Sequence, residues 1–323
     1  MKISVPDTAE WLRRNDDYLI LTHRRPDGDT LGCAGALASH LQENGKTAYV
    51  LFNEETTDRY LDLVSDFWAP EGFEPKHVIS VDTANNDLFG ENARRYCKNI
   101  SLCIDHHVSN TVESDYKCTD AERAACGELV YDILFAFCDK IGPKTAGCLY
   151  AAVVTDTGCF AYANTTAQTL EVAAKLIKAG APHKQMNKIF FRTKTKARVK
   201  LEAMIFSGME LYFNEEAAIV TITRAMLSEI GAAEDDLDDI SALAGIVEGV
   251  KCAVTIRQLA EKTCKISVRS LPGINSNDIC AGLGGGGHAM AAGATVEKTT
   301  EEAKAEILLI LDDVFGTTRC RTE

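Results

Sequence analysis

No two cysteines in the chain are spaced C-x-x-C, although 12 occur among 323 residues. The usual spacings of structural zinc sites and dithiol redox motifs are therefore missing. Most of the cysteines sit among apolar neighbours, as Cys103 does in SLCID. They are expected to be reduced, buried thiols. The start MKISVPDTAEWLRRNDD has no apolar core segment, so a signal peptide is not expected. No apolar run reaches the ~18 residues of a membrane helix. The longest candidate, CLYAAVVTDTGCFAYA, is broken by Asp156. These absences predict a soluble cytoplasmic protein. Positive charge is in deficit, with 34 basic against 47 acidic residues and a net charge of −13. A dedicated duplex-DNA binder usually has the opposite balance, whereas a short nucleotide held in one local site remains compatible. The motifs G-x-S-x-G and H-E-x-x-H are also absent, which removes nucleophile-elbow hydrolases and zincin-type proteases. There is no internal repeat, low-complexity tract or Pro-rich linker.

What is present fits an ordinary globular chain, with 46% hydrophobic and 25% charged residues. The length suggests two domains. In the first half, residues 18–22, 47–52, 77–82 and 100–105 are short apolar runs bounded by polar residues, the pattern of buried strands. Leu31, Ala34, Leu37, Ala38 and Leu41 follow helical spacing within residues 30–45. Residues 124–139 and 144–155 are further predicted helices. Strands alternating with helices imply an α/β fold, a parallel sheet with helices on both faces. Residues 172–201 then contain no acidic residue, an asymmetry that fits either a solvated helix face or a polyanion groove. Past Met209, residues 217–222, 252–257 and 265–269 are expected strands. Residues 241–247 and 301–314 are expected helices, and the acidic run 235–239 a solvated helix start.

Polar residues cluster where these strands end. The first runs into His23 and then Asp27-Gly28-Asp29, the third ends at Asp82, and the fourth ends at Asp105-His106-His107. A later helix delivers Asp156. One Asp after a strand is commonly a cap or turn former. Four clusters at the carboxyl edge of an open parallel sheet, where ligands bind, point to one site. Carboxylates with a few imidazoles suit manganese or magnesium better than structural zinc. Two metals about 3.5–4 Å apart need a shared ligand and generate a bridging hydroxide for attack on phosphorus. Asp82, ending a central strand, is the natural bridge. A second signal is Gly282-Leu283-Gly284-Gly285-Gly286-Gly287-His288 followed by Ala291-Ala292-Gly293. It lacks a following βαβ unit and the lysine of a phosphate-binding P-loop, so neither dinucleotide nor nucleoside-triphosphate motif applies. Consecutive glycines still let backbone N–H groups approach an oxyanion, and Arg269 would add a bidentate clamp. The alternative is a tight turn packed on a helix. His40, His77 and His183 have no evident partners and are expected to be surface or packing residues.

His23-Arg-Arg-Pro-Asp27-Gly-Asp29, Asp82, Asp105-His106-His107 and Asp156 resemble the four motifs of the DHH phosphoesterases. Gly285-Gly286-Gly287-His288 with Ala291-Ala292-Gly293 resembles the DHHA1 domain. The resemblance runs from about residue 18 to 296 and looks closest to the nanoRNase/pAp-phosphatase (NrnA-type) subfamily. It implies a DHH catalytic domain over residues 1–183, a connecting helix or linker over 184–208, and a smaller α/β DHHA1 domain over 209–323. It implies a cleft between the two domains. It implies two Mn2+ ions, with Mg2+ as the alternative. One ion would take His23, Asp27 and Asp82; the other would take Asp29, Asp82, His106 and Asp156. His107 would contact the scissile phosphate and Asp105 would support the histidines. Arg269, Gly285, Gly286, Gly287 and His288 would hold substrate phosphate. Cys33 stands where relatives often carry Ser and is expected to affect packing only. The implied substrates are short oligoribonucleotides, pApA and 3′-phosphoadenosine 5′-phosphate (pAp). A homodimer is a candidate assembly. Rival readings are a cyclic dinucleotide phosphodiesterase, a family II-type pyrophosphatase, a RecJ-like exonuclease and a non-catalytic nucleotide sensor. The glycine-histidine ending speaks against the pyrophosphatase, and the length leaves no room for the added OB-fold of the exonuclease.

Overall fold

The computed structural model describes residues 1–319. Cys320, one of the expected buried thiols, lies outside the described residues. The eleven described cysteines are all unpaired, and eight are buried, Cys97, Cys138 and Cys159 being half-buried. The chain forms two compact units, Met1–Thr193 and Lys194 onward. No helix among the described residues is long and apolar enough to cross a membrane.

The first unit contains strands β1 (Tyr18–Leu21), β2 (Ala48–Val50), β3 (His77–Val81), β4 (Ile100–Asp105) and β5 (Tyr116–Thr119). They form one parallel sheet in the order β2-β1-β3-β4-β5. Its helices are α1 (Val5–Arg14), α2 (Gly28–Glu43), α3 (Cys126–Phe137), α4 (Pro143–Asp156), α5 (Ala167–Lys178) and the short α6 (His183–Asn187). The apolar runs became strands β1 to β4. Strand β5 gave no such signal, because only Cys118 of its four residues is buried at the sheet edge. Helix α1 was also unexpected; a Ser4–Asp7 capping box starts it. Helix α2 begins at Gly28, earlier than its apolar spacing suggested, because the Asp27 carboxylate accepts from the Asp29 and Thr30 amides.

The α-helices gather on one sheet face, where Ile20, Ile79, Leu102 and Ile104 pack against α2, α3 and α4. The expected second helical layer is replaced. Leu19, Leu21, Val78, Ile100 and Cys103 are covered by Phe89, Ala93 and neighbouring residues in 3-10 turns over Asn86–Leu88 and Glu91–Tyr96. Helix α2 packs so closely on α4 that a Cβ at Gly32 would lie 2.5 Å from the Cys148 carbonyl oxygen. This approach brings the start of α2 beside the end of α4.

His40, on the last turn of α2, is fully buried with neither ring nitrogen hydrogen bonded. The Phe137 ring meets its edge at 5.5 Å. Burial holds its pKa below the ordinary value. The neutral ring is therefore favoured in the fold, and stability present above about pH 6.5 is lost as the pH falls through the folded-state value. His40→Leu is expected to raise stability by on the order of 1 kcal/mol by removing unsatisfied polar atoms. The gain should grow between pH 8 and pH 5.5 in urea titrations; a variant less stable than wild type at both pH values would refute it.

The second unit holds β6 (Glu210–Tyr212), β7 (Ala217–Ile222), β8 (Cys252–Ala260), β9 (Thr263–Ser270), β10 (Gly286–His288) and β11 (Ala291–Val296). They form a sheet in the order β10-β11-β9-β8-β7-β6, parallel only between β7 and β8. Its helices are α7 (Lys196–Ser207), α8 (Arg224–Ile230), α9 (Ser276–Ala281) and α10 (Thr300–Arg319). Residues expected as a helix near 241–247 form a 3-10 turn, Ile240–Ile246, that buries Ile240 and Ala244. The acidic run before it is not simply solvated: Asp236 is buried and accepts from Thr195 Oγ1 and the Ala233 amide. The basic tract is divided between the units. Lys194 and Arg198 are paired with Glu202 at 2.6 and 2.7 Å.

Candidate metal centre

The strand order 2-1-3-4-5 reverses direction between β1 and β3, the switch point at which open α/β sheets form their binding crevice. His23 and Asp27 follow β1, Asp82 follows β3, and Asp105-His106-His107 close β4. Asp29 stands in the first turn of α2, and Asp156 ends α4. Asp82 has a left-handed backbone, φ 49°, which turns its carboxylate out of the strand direction.

Three sets of side chains bring their ligand atoms within 4.8 Å of one another: His23, Asp27 and Asp82; Asp29, His106 and Asp156; Asp82, His106 and His107. His106 Nε2 lies 3.8 Å from Asp29 Oδ2, 3.5 Å from Asp82 Oδ1 and 3.6 Å from Asp156 Oδ2. His23 Nε2 is 3.7 Å from Asp27 Oδ1. These separations are too long for hydrogen bonds. They suit pairs of donors each about 2.1 Å from one shared ion. Asp82 Oδ1 is buried and has no hydrogen-bond partner. A divalent cation is the group that would satisfy it, so the donor set fits a metal centre. The cavity, about 240 Å³, is lined by His23, Asp27, Asp82, Leu88, His106, His107 and Asp156.

Each histidine is aimed by its other nitrogen. Nδ1 of His23 meets the Arg24 carbonyl at 2.8 Å, and Nδ1 of His106 meets the Arg123 carbonyl at 3.1 Å. A proton on Nδ1 leaves Nε2 as a lone-pair donor facing the carboxylates. Nδ1 of His107 donates to Asp105 Oδ1 at 2.7 Å. That carboxylate also accepts from the His106 amide, and Asn110 Nδ2 donates to its other oxygen at 2.6 Å. Asp29 is held by the N-terminus of α3: the Cys126 and Gly127 amides donate to its two oxygens at 2.6 and 2.9 Å. Cys33 Sγ donates to Asp29 Oδ1 at 3.3 Å, so this residue touches a site carboxylate rather than affecting packing alone.

Burial pushes the Asp29 and Asp82 carboxyls well above the usual range. Asp156 and Asp27 add to the shift of Asp29, and Asp29 and Asp27 to that of Asp82. Asp156 is pushed up to about 6 by burial, with Asp27 adding and His106 opposing. Burial works the same way on Asp105, but its bonds to His107 and Asn110 outweigh it and hold the carboxyl below the ordinary value. The His107 pKa is raised, first by the Asp105 bond and against burial. A crowded set of carboxylates thus faces His107, whose protonated form the Asp105 bond favours.

In the second unit, register aligns His288, Ala291, Arg269 and Ala253 across β10, β11, β9 and β8. His288 and Arg269 therefore share one sheet face, separated by a methyl group. Gly285 and Gly287 leave no room for a Cβ against β11, and the Gly287 amide donates to Asn277 Oδ1 at 2.9 Å. The glycine run is thus divided: Gly282-Leu283-Gly284 is a turn after α9, and Gly286 and Gly287 begin strand β10. Sequence reading missed Asn110, although its place just after His107 at the sheet edge was a usable signal. The Arg123 carbonyl and the Cys126 and Gly127 amides left no signal, since backbone groups are independent of side-chain type.

Residues 17–153 match the DHH family, N-terminal domain, and residues 220–317 match the DHHA1 domain. The chain belongs to the DHH family, a class of phosphoester hydrolases. Among its curated relatives, the bifunctional oligoribonuclease and PAP phosphatase NrnA of Thermus thermophilus is 32% identical over 282 residues, 86% of this chain and 83% of that protein. The protein of the same name from Bacillus subtilis is 28% identical over 288 residues, 87% of this chain and 90% of that protein. The crystal structure of an exopolyphosphatase-related protein from Bacteroides fragilis matches with a TM-score of 0.86 at 20% identity, covering 98% of this chain and 97% of that chain. That likeness establishes the shared fold.

Proposed function

We propose that the protein is a manganese-dependent phosphoesterase that hydrolyses short oligoribonucleotides to mononucleotides and pAp to AMP. Two lines support this: relatives of matching length bear both activities in their names, and the DHH unit gathers a carboxylate–imidazole set around Asp82. The observation that carries it is Asp82, whose Oδ1 is buried and unsatisfied and which belongs to two of the three ligand groups.

His23, Asp27 and Asp82 would hold one divalent ion, and Asp29, Asp82, His106 and Asp156 the other. When bound, such a pair supplies an activated water and neutralises charge developing on the phosphoryl oxygens. His107 lines the cavity while Asp105 fixes its tautomer and raises its basicity, so its protonated form would donate from Nε2 to a phosphoryl oxygen. Asn110 holds Asp105 in place for that task. Arg269 makes no ion pair among the described residues and keeps guanidinium N–H groups available. With His288 and the adjoining glycines it would bind a substrate phosphate. A cytoplasmic location accords with the unpaired thiols.

The test is product release from a panel with Mn2+, Mg2+ or chelator. The panel contains labelled di- to pentaribonucleotides, pAp, pApA, cyclic di-AMP and pyrophosphate. We expect Mn2+-dependent mononucleotide release from the short linear RNAs and AMP from pAp. Turnover of cyclic di-AMP or pyrophosphate alone would refute the substrate assignment. Nucleotide binding without turnover of any member would favour a sensor.

A further inference from the structure

The cavity at the metal centre is lined mostly by groups that the ions and the phosphate would engage. Of its seven lining residues only Leu88 is apolar; the others are carboxylates and imidazoles. A base attached to a phosphate there must find its surface beside the cavity. The segment leaving Asp156 provides one. Gly158, Cys159 and Phe160 adopt three successive left-handed conformations, φ 55°, 58° and 66°, and turn the chain back on the end of α4. The Tyr162 amide donates to the Thr157 carbonyl at 3.0 Å. Thr157 Oγ1 donates to the Val153 carbonyl at 2.6 Å and accepts from the Phe160 amide at 3.3 Å. Asn164 Nδ2 bonds the Asp156 carbonyl at 3.1 Å and the Ala124 carbonyl at 3.0 Å. Phe160 packs onto the core, its ring 6.4 Å from that of Tyr150.

The segment is therefore anchored, yet its aromatic residue faces solvent. Tyr162 is 55% exposed. Its ring lies flush on the Gly158 backbone, where a Cβ would fall 2.4 Å from Cε1 and Cζ. A glycine two residues from a candidate ligand thus gives up its side chain to seat an exposed ring. Such a ring, already ordered, stacks a base at little further entropic cost. Stacking accepts any base, since each has a π-face.

We infer that Tyr162 is a base-stacking residue, holding the nucleobase next to the phosphate at the metal centre and selecting nucleotides over base-free phosphate esters. This rests on the phosphoesterase reading above. The experiment compares KM and kcat of wild type, Tyr162→Ala, Tyr162→Leu and Tyr162→Phe with Mn2+. Substrates are a diribonucleotide and the same compound lacking the base on one side of the scissile bond, each position in turn. In Tyr162→Ala, KM for the diribonucleotide should rise about 10-fold with a smaller change in kcat, the size of one lost base–aromatic stack. Tyr162→Leu, which still covers Gly158, should behave like Tyr162→Ala. Tyr162→Phe, which keeps the ring, should restore the wild-type KM. One of the two abasic substrates should have a raised KM with wild type and show little further rise with Tyr162→Ala. An unchanged diribonucleotide KM in an active Tyr162→Ala enzyme would overturn this assignment alone. An equal rise for all three substrates would reduce Tyr162 to a structural role and overturn it too. Wild type without metal-dependent turnover of the diribonucleotide would instead overturn the phosphoesterase reading, and this inference with it.

Discussion

Asp82→Asn is expected to lower divalent-stimulated hydrolysis by about 10³-fold or more while leaving the metal-free protein more stable than wild type. The two effects have one cause. The Asp82 carboxyl is buried and pushed well above its usual range by burial and by Asp29 and Asp27. Ionised and without metal, it is a buried charge crowded by other carboxylates; with metal, it would be the ligand shared by both candidate ions. An amide of the same shape removes the charge. Asn also tolerates the left-handed backbone at this position, φ 49°, better than most residues, so the fold has no reason to suffer. The check pairs steady-state rates in Mn2+ with melting temperatures in chelator. Wild type should gain several degrees on adding Mn2+, and Asp82→Asn should gain far less. A variant that keeps turnover and the metal-induced gain would remove Asp82 from the centre.

The second large effect is the pH dependence of the metal-free protein. Asp156 moves from 3.8 to about 6 in the fold. A carboxyl with a raised folded-state pKa favours the fold while protonated, so its contribution is full below about pH 4 and is lost as the pH rises through about 6. The size is about 2 kcal/mol once the partial exposure of Asp156 is discounted. In chelator, wild type should therefore lose stability relative to Asp156→Asn between pH 4.5 and 7. Mn2+ should reverse the order at pH 7, because the ion binds the ionised carboxylate and only wild type offers it. His40 drives stability the opposite way with pH, but it is common to both proteins and cancels in the difference. Parallel melting curves for the two proteins across this range, with and without Mn2+, would show that Asp156 neither sits in a crowded carboxylate set nor binds the ion.

Much of this centre was legible without coordinates because its chemistry sits on side chains at predictable places. Buried parallel strands read as plain apolar runs, so the polar residues ending them stood out. His23, Asp27, Asp29, Asp82, Asp105, His106, His107 and Asp156 could all be picked from that contrast, and they meet in one DHH unit. The sheet edge was less legible. Strand β5 buries one residue in four, and β10 is Gly-Gly-His, so neither carries the apolar pattern that identifies a strand. Their existence depends on a neighbour's unpaired backbone, which no local window contains.

The composition and order of residues by themselves determined the α/β class, the unpaired cysteine chemistry and the identity of the candidate ligands, because periodicity and side-chain type are local properties. Tertiary structure alone decided how those ligands are held. It set the helices on one sheet face and brought α4 against α2 at Gly32. It placed the N-terminus of α3 on the Asp29 carboxylate. It also left Asp82 Oδ1 without a hydrogen bond and seated the Tyr162 ring on Gly158. Each of these depends on atoms far apart in the chain or on backbone groups common to every residue, so only packing in three dimensions could bring them together.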